Sequence, residues 1–139
     1  IGKILLEKYV AKAGKKIRNL VNDKHFSFLE AEKKAIGIDH AELGAMIAKI
    51  WHFSPKMVKI IRHHHLSDEK MLNNKEIAAV YLADCICMML GTGVGSDGLS
   101  YRFKEKLMKD LGITAEDLSI IIAEFGINIL EVETLLQIA

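Results

Sequence analysis

Apolar residues recur every three or four positions along almost the whole chain, and no run of four to eight residues alternates like a half-buried strand. That periodicity excludes a sheet protein and implies an all-α fold, a compact multi-helix bundle. With 139 residues, half of them hydrophobic, the chain is long enough for one domain with a real core.

Helix ends can be placed from caps and glycines. Ile1 to Ala13 forms a first helix, broken near Gly14, with a continuation carrying Ile17, Leu20 and Val21. Ser27, with Glu30 three residues on, is a capping box that opens a helix ending at Gly37. Asp39 caps the next helix, to about Trp51, with Ala41, Leu43, Ile47 and Ile50 as its apolar stripe and Trp51 in the core at its end. Ser54 followed by Pro55 starts a helix through His65. Asn73 or Asn74 opens a long apolar helix to Leu90, and Gly91 to Gly98 is a loop. A helix from about Ser100 to Asp110 closes at Gly112, and Thr114 caps a last segment with a candidate kink at Gly126.

Charge narrows the function. Nineteen basic residues face 18 acids, so no global field gathers nucleic acid or an anionic membrane. The lysines from Lys3 to Lys16 fit a solvated helix face. The longest apolar run, Ile77 to Leu90, is too short to span a bilayer and contains Asp84. No secretory leader pattern is visible. Cys85 and Cys87, two apart on a helix, point to roughly opposite sides and cannot bridge each other. A reduced, cytoplasmic setting is the expectation.

Histidine is the first chemical anomaly. His63, His64 and His65 are consecutive at a helix end, where cationic side chains also simply suit the macrodipole. Successive helical residues stand about 100° apart, so three in a row cannot face one point, although two can flank a shared site. Asp84 is the second anomaly: a carboxylate among Val80, Tyr81, Ala83, Cys85, Cys87 and Met88. Burying it there costs several kcal/mol unless it is paired or bound to a cation, so a structural Asp–His or Asp–Arg pair and a metal ligand are both open readings. His40 is the third, in the first turn of the helix that Asp39 caps. The stretch Gly93–Val94–Gly95–Ser96–Asp97–Gly98 matches GxGxxG formally, but it follows a helix and has no βαβ context, so it is read as a connection.

The run IGIDHAELGAMIAKIWHFSPKMVKIIRHHH, from Ile36 to His65, resembles the middle of HD-superfamily domains. More narrowly it resembles the HDOD subgroup and the related HD-GYP phosphodiesterases, through Gly37, Asp39, His40, Ala41, Glu42, Gly44, Trp51, Pro55, Ile61, Arg62, His64 and His65. The segment YLADCICMMLGTGVGSDGLSYR, from Tyr81 to Arg102, is similar to the helix and glycine loop that follow there, with Asp84 at the superfamily's last aspartate position. By that resemblance His40, His64, His65 and Asp84 occupy metal-ligand positions, Lys3 falls where relatives carry a lysine facing the substrate phosphate, and Asp84 joins it as a catalytic candidate. Such ligands suit divalent iron, manganese, zinc or nickel.

The same resemblance sets two limits. Its His-Asp doublet would precede Ile1, so residues 1–139 are expected to be the C-terminal portion of a single HD/HDOD-like domain, with weak or absent metal binding. After His65 the chain runs Leu66–Ser67–Asp68–Glu69–Lys70, without the Gly-Tyr-Pro of the HD-GYP enzymes. The expected function is therefore a bacterial signal-transduction module working on a protein partner or a phosphate-containing small molecule. A metal-dependent phosphohydrolase is the alternative, and a homodimer is an accompanying expectation.

Overall fold

In a computed structural model of the chain, residues 2–9, 11–24, 26–91 and 105–137 are described, and the helical periodicity resolves into eight α-helices among them. These are α1 (Gly2–Tyr9), α2 (Ala11–Lys24), α3 (Phe28–Ile36), α4 (His40–Ile50), α5 (Pro55–His63), α6 (Lys75–Met89), α7 (Glu105–Leu111) and α8 (Ala115–Gln137), with a 3-10 turn at Glu69–Met71. No strand occurs among the described residues. The stretch Gly93–Gly98, and the proposed helix start at Ser100, lie outside them.

The caps fall where side-chain chemistry places them. Ser27 and Glu30 close a capping box at α3, and Asp39 and Glu42 close another at α4. Ser54 accepts from the Met57 amide ahead of α5, and Asn74 caps α6 by accepting from the amides of Glu76 and Ile77. Gly37 ends α3 at φ 83°, a left-handed conformation that costs glycine nothing. α8 runs unbroken through Gly126.

Three sequence expectations need correction. The chain does not break near Gly14, which sits inside α2. A helical glycine costs about 1 kcal/mol, which the packing of Ile17 and Leu20 against Ala31 outweighs. α5 ends at His63, two residues early, because Leu66 takes φ 49° and returns its amide to the His63 carbonyl. That turn carries Leu66 into a core shared with Ile77, Ala78, Tyr81, Cys85 and Leu107. Finally, Trp51 is 56% exposed and Ile50 70% exposed. The buried face of α4 is Ala41, Gly44, Ala45 and Ala48, because close approach of neighbouring helices selects small side chains over large apolar ones.

α4 is the central element, with α1 and α5 packed against it. A Cβ on Gly2 would stand 1.9 Å from the His40 carbonyl oxygen, so α1 meets the first turn of α4 at backbone contact. α2 pairs with α3, and α6 bridges α5 and α7. The first turn of α4, the start of α1, the end of α5 and the middle of α6 thereby converge. No helix among the described residues is long and apolar enough to cross a membrane.

Candidate metal centre

The convergence begins with a carboxylate that the sequence reading passed over. Glu32 lies on α3 beside Ala31, on the stripe it shares with Phe28 and Ala35, and is 2% exposed. Its Oε2 accepts from the His40 amide at 2.9 Å and faces His40 Nδ1 at 2.7 Å. One acid thus supports both the backbone and the ring of a histidine that is itself buried. A carboxylate on the apolar stripe of a helix was the signal available in the sequence.

His64 and His65 enter from the other side. Because α5 stops at His63, His64 is its cap and His65 belongs to the turn, so helical spacing no longer keeps their rings apart. The ring centroids of His64 and His65 are 3.9 Å apart, and His40 lies 5.6 and 4.8 Å from them. One ring nitrogen from each of the three falls within 4.8 Å of the others. His63, by contrast, lines a groove between α4 and α5.

The acceptors around the rings dictate the tautomers. The Ile61 carbonyl can only accept, so His64 Nδ1, 2.7 Å away, carries the proton and its Nε2 is bare. Glu32 acts likewise on His40, leaving His40 Nε2 bare. His65 Nε2 lies 2.7 Å from that atom, so in the metal-free centre it must donate, which leaves His65 Nδ1 without a proton. Asp84 Oδ2, 3.4 Å from His65 Nδ1, is then given no donor, and it is indeed buried with no hydrogen-bond partner among the described residues.

A cation shared by the imidazoles resolves this conflict. Ligating through Nε2 would free the His65 proton for Nδ1, where it could serve Asp84, the usual carboxylate–histidine support of a metal ligand. The donor set therefore fits a divalent metal held by His40, His64 and His65, with Asp84 and Glu32 behind them. Burial favours the neutral ring at His65, which it pulls down to about 2, with the charges of His64, His40 and Lys3 acting in the same direction. Burial also lowers His64, against the Ile61 hydrogen bond. Neutral imidazole is the ligating form.

Lys3 belongs to this neighbourhood. It lies within electrostatic reach of both His64 and His65, and its Nζ stands 5.7 Å from the Phe28 ring centre. Asp39, Glu42 and Arg62 form a separate ion network at the mouth of α4. Arg62 pairs with Glu42 and lies 3.6 Å from Asp39, while Lys33 reaches Glu42 at 3.1 Å. Burial pushes Glu42 up, but Lys33, the Asp39 amide and Arg62 together hold its carboxyl below the usual range.

Residues 1–67, from α1 to the turn after α5, match the family model of the HDOD domain. That stretch of the chain belongs to the HDOD family. No curated protein and no solved structure matches the chain. Lys3, Glu32, His40, His64 and His65 all fall inside the HDOD match, whereas Asp84 reaches the same centre from α6, beyond it.

Proposed function

We propose that this HDOD chain is a regulatory module of bacterial signal transduction, acting in the cytoplasm through contacts with a signalling protein. Its histidine centre would bind a divalent cation, or a phosphate-containing small molecule through that cation. The observation that carries this reading is the His40–His64–His65 cluster, with His40 buried and the other two half-buried, and the donorless Asp84 Oδ2 beside it. The cluster joins α4, the end of α5 and α6, so a ligand there would tie three helices together and alter how they are presented to a partner. Two free cysteines, one of them buried, suit a reducing compartment.

Iron, manganese, zinc or nickel suits these donors, and such a cation polarises phosphoryl oxygens when bound. Lys3, whose charge reaches His64 and His65, would meet a phosphate oxygen there.

The test is metal analysis of the purified chain together with hydrolysis of a chromogenic phosphodiester, for wild type and Asp84→Ala. Bound metal without hydrolysis supports the regulatory reading. Hydrolysis that Asp84→Ala abolishes would replace it with the phosphohydrolase reading, and absence of metal in cells and after loading would remove the centre altogether.

A further inference from the structure

The longest of the described helices is α8. Among the described residues α8 makes at most glancing contacts with the other helices, yet Ile120, Ile121, Ile127, Leu130, Val132, Leu135 and Leu136 are exposed on it. At 100° per residue Asp117, Glu124 and Glu131, spaced by seven, share one face of the helix, with Ile120, Ile121, Ile127, Val132 and Leu135 beside them and Leu130 and Leu136 further round. α8 contains no lysine or arginine. Asp117 is engaged by Thr114 at the helix start. Glu124 and Glu131 have no basic partner among the described residues and present their charge outward.

A surface of opposite character lies between α4 and α5. This groove of about 710 Å³ is lined by Met46, Phe53, Pro55 and Val58 together with Lys49 and Lys59. Met46 and Phe53 are 55% and 44% exposed, so apolar surface is open in it. Neither Lys49 nor Lys59 has an acidic partner among the described residues. The acid lining the groove, Glu42, is already committed to Lys33 and Arg62. α4 is 11 residues long, so the groove accommodates about three turns of a docked helix.

We propose that α8 of a second copy of this chain docks in the α4–α5 groove, and that the exchange is reciprocal. The apolar residues of α8 enter the groove, and Glu124 and Glu131 meet Lys49 and Lys59. Docking of acidic α8 against another α8 would set like charges together, whereas the groove offers the complementary sign. Two identical contacts related by a twofold axis close the assembly as a dimer. This interface is independent of the histidine centre, whose residues do not line the groove.

The experiment is sedimentation equilibrium of the whole 139-residue chain, comparing wild type with Lys49→Glu/Lys59→Glu and with Glu124→Lys/Glu131→Lys. All four positions are exposed, and circular dichroism confirms that each variant folds. Wild type is expected to dimerise, and each variant to dimerise at least about tenfold more weakly, ~1.4 kcal/mol. Mixing the two variants restores the dimer, because both exchanged contacts are then complementary in charge. A wild type that stays monomeric to roughly 100 µM, variants that associate like wild type, or a mixture that fails to recover would each overturn the proposal.

Discussion

His40 Nε2 and His65 Nε2 stand 2.7 Å apart, bridging the first turn of α4 and the turn that closes α5. Two bare nitrogens would not remain at that distance, so either a proton or a cation lies between them. The proton serves His40 at the expense of Asp84, and the cation relieves both. Glu32 holds the His40 proton on Nδ1, so the contest is between His40 Nε2 and Asp84 Oδ2 for the one hydrogen of His65.

The contest can be read in Asp84→Asn. With a chelator present, the variant is expected to be as stable as wild type or more so, because the amide can donate to His65 Nδ1 and the donorless carboxylate oxygen is gone. With zinc or manganese at roughly a hundred times its dissociation constant, wild type gains about 2.7 kcal/mol and the variant less. Thermal melts with and without metal decide the matter; equal gains would take Asp84 out of the centre.

Acidification should destabilise the fold earlier than carboxylates alone would. Burial holds His65 near 2 and lowers His64, whereas an unfolded histidine takes its proton near pH 6.5. Between those limits the unfolded chain binds more protons, so stability rises with pH and levels off above about pH 7. Each such histidine adds up to about 1.4 kcal/mol per pH unit on the acid side. Facing groups are Glu32, Asp84 and Lys3, so the slope belongs to the cluster. Urea midpoints measured across that range should show it, and His65→Asn, neutral throughout, should flatten it. An unchanged slope in that variant would refute the assignment.

Glu32→Ala removes the acceptor for both the His40 amide and its ring, and is expected to cost about 3 kcal/mol. Glu32→Gln keeps an acceptor and should lose clearly less. Chemical denaturation of the two variants ranks them, and an inverted order would mean that Glu32 acts by volume and not by hydrogen bonding.

Gly2→Ala forces a Cβ to within 1.9 Å of the His40 carbonyl oxygen, a rigid backbone atom, so α1 must lift from α4. Gly44→Ala meets a flexible methyl of Ile61 at 3.2 Å, which can yield. The first should cost roughly 2 kcal/mol or more and the second about 1. Proteolysis after Lys3 or Lys8 should accelerate in Gly2→Ala alone.

Much of the fold was legible because it depends on local chemistry. Ser27 with Glu30, Asp39, and Ser54 with Pro55 start helices through bonds made within four residues, and the structure starts helices at each of them. Trp51 and Ile50 were misplaced because hydropathy ranks large apolar residues as core, whereas α4 is buried along its alanines and glycine. Glu32 went unseen because nothing near it in the chain reveals its partner, eight residues on and across a helix junction.

The sequence by itself determined the class, the helix starts and the residues whose chemistry is out of place among their neighbours, His40, His64, His65 and Asp84. Only the tertiary structure decided that three of them share a point and that the fourth is left without a donor. The physical reason is the turn at Leu66: the burial of one leucine in a core it shares with α6 and α7 ends α5 early, and so releases His65 from helical spacing to face His40.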